Sequence, residues 1–491
     1  MPPQAPGTPV FISANVEVGE NGNLAFDASG AAVAVWQKAD KVWANHYDGN
    51  SKTWGQSVMI GSAQSFASTD AQIVATSPGH MLAIWNAADS DKRDERSYGV
   101  WSAVYNAKNS EKSTEKSVEE GQWANAVPVS RAPPAFSTHH PRVAVNSSHA
   151  VAVWLEYFDA SKANEIPAVA GPPKSSRIMS AVYTAGKGWG TPMQISDNAA
   201  ATPEEPEVSI DKLGRATAVW LQRYDLGSST PSARRLYYSV LQPQSSRWTT
   251  PLMLDDPDPL ANVQYPAVSS NGAGDTVIAW VQTQGKCYYA MAARSVKHAA
   301  SQKQETVWEP AVRLTPEWPA LSTQPRSDGM DYPCFITEVT AAIDAAGNAM
   351  VAWEASSAQS TSYLAFAPAG QPWRAQAALP YSEGASAGDM RMVFTAPGKA
   401  VVLSGYGRLE PPRRRVVKHH FDANNNTQPW SASQLIDWPN GSGAFGATLA
   451  VSPNGQTIST WQQSNLYKSG FSAYTWNIND AVGEPTPKQK Q

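Results

Sequence analysis

Apolar and polar residues in this chain come in short alternating runs, without the three-to-four-residue rhythm of an amphipathic helix. The runs are bounded by Asp, Asn, Ser, Pro and Gly, which predicts strands joined by tight turns. One seven-residue frame recurs. Gly30-AAVAV-Trp36 returns as Gly79-HMLAI-Trp85, Gly214-RATAV-Trp220, Gly274-DTVIA-Trp280, Gly347-NAMVA-Trp353 and Gly455-QTIST-Trp461. Two copies are imperfect: Ser148-HAVAV-Trp154 lacks the glycine and Gly398-KAVVL-Ser404 lacks the tryptophan. The eight copies lie roughly 50 to 73 residues apart.

Each copy reads as one supersecondary unit. A short strand such as PRVAV (141–145), PEVSI (206–210) or VTAAI (339–343) precedes the turn. The turn has the form Asp-x-x-Gly, as at Asp27, Asp211 and Asp344, or Ser452-PNG. The strand after it is small and branched on both faces, which predicts burial on both sides. A third strand carries aromatic or apolar alternation (VWANHY 42–47, RIMSAVY 177–183, RRLYYSV 234–240). A fourth starts at a second tryptophan: Trp54, Trp123, Trp189, Trp248, Trp308, Trp373 or Trp430. Eight four-stranded antiparallel units packed face to face predict an all-β, eight-bladed β-propeller in one domain. The expected blades are 22–61, 70–130, 141–196, 206–255, 265–315, 338–381, 390–437 and 447–477, with 478–491 a disordered tail. The last unit has only three strands. PVFIS at 9–13 resembles MQIS at 193–196, so the N-terminal strand is expected to complete the last blade and close the ring. Polar or Pro-rich insertions at 86–97, 109–120, 158–176 and 316–334 read as surface loops.

The net charge is −4 and charged residues make up 16% of the chain, with no basic stripe, which argues against nucleic acid. No apolar run is long enough to span a membrane, and no signal peptide is visible at the start. Cys287 and Cys334 are too few for a disulfide framework. They could be bonded across neighbouring blades, tying down the 316–334 loop, or stand as separate buried thiols. The abundance of Trp, the low charge and the propeller form point to an extracytoplasmic bacterial protein: secreted, periplasmic or on the cell surface.

The frame D-x-x-G-x-A-x-A-V-W, followed by an aromatic strand and W-x-x-P-x-x-I, resembles repeats of bacterial propeller proteins whose function is poorly defined. It is distantly similar to the Asp-box of sialidases, although the Asp-to-Trp spacing is longer here and no arginine triad is evident. The resemblance implies fold and says little about activity. The blade motif of quinoprotein dehydrogenases is absent, so that cofactor is not expected.

Topology places the residues after each strand-2 tryptophan, and those before each first strand, around the axis on one face. The first group includes Gln37, Asn86, Glu156, Arg223, Gln282, Glu354 and Gln462. The second is Asp70, His139, His140, Glu205, Tyr265 and Asp389, and Tyr157, Tyr224 and Trp318 lie close by in sequence. Polar groups and aromatic faces around a depression suit a sugar or a peptide. His140, Tyr157, Arg223 and Tyr224 could serve as base and carboxylate clamp in polyuronide elimination. The plainer reading of HHPRVAV is a loop ending in Pro before a strand, like EEPEVSI. His419-His420 reads as a solvated outer strand, because adjacent strand residues face opposite ways and cannot share a metal. Missing calcium-loop spacing argues against an EF-type site, while the acidic clusters leave a structural calcium open. No other metal or cofactor is expected. Where Ser404 replaces the frame tryptophan, Tyr406 or Phe394 is expected to fill the space, a side pocket being the alternative. The expected function is non-catalytic recognition of a glycan or protein. The alternatives are a polysaccharide lyase or glycosidase on the same face, and a scaffold in a secreted assembly. Oligomeric state is left open.

Overall fold

A computed structural model describes residues 9–477 apart from 14–21, 39–40, 62–69, 89–97, 108–120, 132–135, 159–175, 198–200, 225–232, 244–246, 256–261, 285–286, 297–306, 316–334, 357–360, 376, 381–384, 387, 410–411, 426, 438–442 and 465–468. The long insertions, Trp318, Cys334 and the 478–491 tail therefore lie outside the described residues. The described residues form strands and no helix. They make eight antiparallel sheets in a ring, an eight-bladed β-propeller.

Blade 4 shows the plan. Thr202–Ile210 lies innermost, followed outward by Ala216–Tyr224, Ala233–Gln242 and an outer strand in two pieces, Arg247–Trp248 and Leu252–Met253. First strands touch those of both neighbouring blades all the way around. The outer strand is interrupted at Pro251, and at Pro192 in blade 3, which blunts an edge that could otherwise pair with another chain. In blade 8 the outer strand is Val10–Phe11, paired with Ala473 and Ser472. The same segment is bonded to blade 1. Asn45 Nδ2 and Ser57 Oγ donate to the Ile12 carbonyl at 2.9 and 2.7 Å, and Gln456 Nε2 donates to Tyr47 Oη at 2.6 Å.

The repeated Asp-x-x-Gly has a double purpose. Asp344 Oδ1 accepts from the amides of Ala346 and Asn348 at 2.9 Å each, closing its own turn. Its Oδ2 accepts from the Gly398 amide of blade 7 at 2.8 Å. Asp27 does the same, holding Ser29 and Ala31 with one oxygen and Gly79 of blade 2 with the other. Gly347 ends the turn at φ +88°, a conformation that side chains resist.

The frame tryptophans Trp36, Trp85, Trp154, Trp220, Trp280, Trp353 and Trp461 are wholly buried between blades. Each indole takes on the order of 200 Å² out of water, about 5 kcal/mol. Several donate Nε1 to the side chain two residues on: Trp280 to Gln282 at 3.1 Å, Trp461 to Gln463 at 2.9 Å, and Trp154 to Glu156 and Trp220 to Gln222 at 3.4 Å each. Two of these continue into the preceding blade, Gln222 to Asp197 and Gln463 to Asp437, both at 3.0 Å.

Blade 7 solves the missing tryptophan differently from expectation. His419 is not on a solvated strand; it is fully buried. Its Nε2 lies 3.5 Å from Ser404 Oγ and its ring meets Trp430 edge-on. The imidazole thus comes from the third strand into space that a second-strand indole would have filled, whereas Phe394 packs into the cluster around Phe366 and Phe421. The side chain of Tyr406 lies outside the described residues. Burial, with repulsion from His420, depresses the His419 pKa from 6.5 to about 4.

Two outcomes are expected. Asp344→Ala strands a buried amide at Gly398 and two part-buried ones in its own turn, and should cost about 2 kcal/mol in denaturant unfolding; a loss near zero would contradict the clamp. His419 binds its proton more weakly when folded than when unfolded. The stability it contributes is therefore complete above about pH 6.5 and lost as pH falls toward 4. Unfolding free energies measured across that window should fall less steeply in His419→Leu than in the wild type, and equal slopes would contradict the buried neutral imidazole.

Candidate ligand-binding site at the axial mouth

First strands carry a repeated irregularity near their start. In blade 3, His139 pairs with Leu155 and Arg142 with Val153, so His140 and Pro141 together oppose Trp154. Blades 4, 5 and 8 repeat the two-against-one bulge. The first bulge residue is left-handed: His140 (φ +50°), Glu205 (+48°), Tyr265 (+53°) and Gly446 (+61°). Asp70 (+87°) and Asp389 (+54°) hold the corresponding places in blades 2 and 7. The residue after each is buried: Ala71, Pro141, Pro206, Pro266, Met390 and Ala447. Sinking that residue between blades turns its neighbour outward, so His140, Glu205 and Tyr265 are exposed on three consecutive blades. Blade 6 places its extra residue differently, at Thr337, between the pairs Ile336 with Ala355 and Glu338 with Glu354. A left-handed non-glycine costs roughly 1–2 kcal/mol. A following proline ordinarily drives its predecessor to extended backbone. Blade 8 avoids the strain with glycine.

Several contacts at these positions cross a blade boundary. His140 Nδ1 lies 3.1 Å from Asp70 Oδ2. Glu205 accepts from the backbone of Tyr265. Glu338 Oε2 accepts from the Met390 amide at 3.0 Å, and Asp389 Oδ2 from the Gly446 amide at 3.1 Å. Burial pushes the carboxyls of Glu205 and Glu338 up, reinforced by Glu204 and Asp389 respectively and opposed by Arg234 and Arg391. Burial also raises Asp70, but the His140 bond and Arg142 outweigh it and the net shift is downward. Burial and the neighbouring His140 lower His139. Burial and the Glu205 charge raise the Tyr265 hydroxyl.

The other candidates separate into two environments. His139 sits between His140 and Tyr157, with ring centroids 6.3 and 6.4 Å away, and Tyr157 is 48% exposed. His139 and His140 belong to a continuous strand, Phe136–Val145, and not to a loop before it. Arg223 pairs with Glu204 at 2.8 Å. Tyr224 Oη is bonded to Tyr237 Oη at 2.7 Å, and burial plus that bond hold its pKa far above the ordinary value. Glu156, Gln282 and Glu354 are buried. Glu156 bonds Arg177 at 2.7 Å, Gln282 takes the Trp280 indole, and Glu354 accepts from Thr337 Oγ1 at 2.9 Å. Cys287 is disulfide-bonded, and Cys334 is the only other cysteine in the chain. Sequence reasoning passed over Glu338 and the arginines 142, 234, 391 and 414. The blade-6 register differs from its neighbours', and the arginines lie on strand positions that no frame marks. Among the described residues, no group of three or more His, Cys, Asp or Glu could hold a metal. No described helix is long and apolar enough to cross a membrane.

No protein family and no curated protein matches the chain. Solved structures resemble it at low identity. The Dos1 propeller is 9% identical, with 98% of this chain and 96% of that one covered and a TM-score of 0.50. The BP39L lectin from Burkholderia pseudomallei is 14% identical over 87% of this chain and 100% of that one, with a TM-score of 0.49. The polysaccharide lyase Uly1 is 7% identical over 91% and 88%, with a TM-score of 0.45. The likeness is one of fold.

If the side chain at 265 is not needed for folding, Tyr265→Gly, which copies Gly446, should leave stability unchanged or raise it by up to about 1 kcal/mol. A loss well beyond 1 kcal/mol in chemical denaturation would show that Tyr265 is structural.

Proposed function

We propose that this protein is a non-catalytic recognition module that binds a glycan at the axial mouth. One observation carries the reading. His140, Glu205 and Tyr265 are exposed on three successive blades in a backbone conformation that glycine would adopt without strain. Side chains held against local backbone preference on an open surface are a mark of function. Their chemistry is an imidazole, a carboxylate and a phenol, with Tyr157 beside them, which suits hydroxyl recognition and stacking on a sugar ring. The disulfide at Cys287 favours an oxidising, extracytoplasmic compartment.

A polyuronide lyase at the same face is the second reading, favoured by the His139, His140 and Tyr157 cluster. Two of its four candidate groups are already committed, Arg223 to Glu204 and Tyr224 to Tyr237. Burial and the Tyr237 bond also keep the Tyr224 hydroxyl protonated near neutral pH, where it has no base to offer.

A glycan array followed by calorimetric titration should give binding to at least one oligosaccharide. Tyr157→Ala and Tyr265→Gly should each weaken it at least about tenfold, the scale of one lost stacking contact. Incubation with alginate, pectin and ulvan should release no unsaturated product. Undiminished binding in both variants would place the ligand elsewhere, and product formation would establish the lyase.

A further inference from the structure

We infer that the axial mouth selects uncharged glycans and rejects acidic ones, an inference that rests on the recognition reading above. A carboxylate-bearing sugar is held by guanidinium groups free to face it, often in bidentate pairs. Around this mouth the described guanidinium groups are already engaged. Arg142 meets Glu207 at 2.8 Å, and Arg177 meets Glu156 at 2.7 Å. Glu204 takes both Arg223 and Arg234, at 2.8 and 3.0 Å. Arg391 meets Glu338, and Arg414 meets Asp389, each at 3.0 Å.

The bulge positions of the first strands, with Glu338 in blade 6, are in blade order Asp70, His140, Glu205, Tyr265, Glu338 and Asp389. Among the described residues, an incoming carboxylate therefore meets four carboxyl groups at these positions, and each guanidinium it could reach already holds a carboxylate it must compete with. Like charges facing one another across an interface act as a specificity filter even where other contacts are good. A neutral sugar meets no such opposition. Its hydroxyls can donate to the carboxyl oxygens and accept from His140, while the exposed Tyr265 and Tyr157 offer apolar faces.

The test uses the full chain and calorimetric titration at low ionic strength, with arabino-, xylo- and galacto-oligosaccharides against oligogalacturonate and oligoalginate. Wild-type protein should bind a neutral oligomer more tightly than either acidic one. Glu204→Gln takes one carboxylate from both Arg223 and Arg234, and Glu207→Gln takes the nearer of two from Arg142, leaving Asp70 at 4.0 Å. Each should raise the acidic-to-neutral affinity ratio by about tenfold or more. Folding of each variant is checked by near-ultraviolet circular dichroism, and either variant alone suffices if the other fails to fold. Tighter wild-type binding of an acidic oligomer, or an unmoved ratio in a folded variant, would overturn the charge filter and leave glycan recognition standing. Failure of every neutral and acidic oligomer to bind would overturn both.

Discussion

The structure depends on one packing interaction repeated around a circle: an aromatic ring wedged between neighbouring sheets. In seven blades this is a tryptophan with its indole nitrogen enclosed, and in blade 7 it is His419 reaching back over Ser404. A flat four-stranded sheet has two apolar faces and cannot stand alone in water. Each wedge covers one face of its own sheet and one of its neighbour's, and only a closed circle leaves none uncovered. The enclosed indoles then impose polar obligations, which the relay from Trp220 through Gln222 to Asp197 meets across a blade boundary.

That rigidity accounts for the strained mouth. A left-handed residue before proline persists only where its surroundings over-determine it. Here the buried Pro141, Pro206 and Pro266 fix the backbone on one side, and the contacts of His140 with Asp70 and of Glu205 with the Tyr265 backbone fix it on the other. The same clamps hold His140, Glu205 and Tyr265 at set separations, so a ligand need not order them. Binding surfaces assembled beforehand lose less entropy on association.

The fold was legible because its determinants are local and repeated. Gly and Trp at fixed spacing mark a turn and a wedge, and an orphan PVFIS matches a missing edge. The mouth was partly legible through the residues preceding each first strand. Asp70, His140, Glu205, Tyr265 and Asp389 all prove left-handed, although no sequence signal announced the bulge that makes them so. The residues after the tryptophan are placed by topology alone, which does not say which of them the frame tryptophan engages. Glu156 and Gln282 accept from the indoles of Trp154 and Trp280. His419 was illegible for a different reason. It compensates for a residue fifteen positions earlier, and compensation across strands follows no period.

Amide hydrogen exchange on the intact chain tests the interlocked circle most directly. Backbone amides of the wedge strands, such as Val35 in blade 1, Val219 in blade 4 and Ile458 in blade 8, should open together with one free energy, because no blade is an end. A gradient, with blades 1 and 8 exchanging first and blade 4 last, is the behaviour of an open array of repeats and would contradict closure through Val10–Phe11.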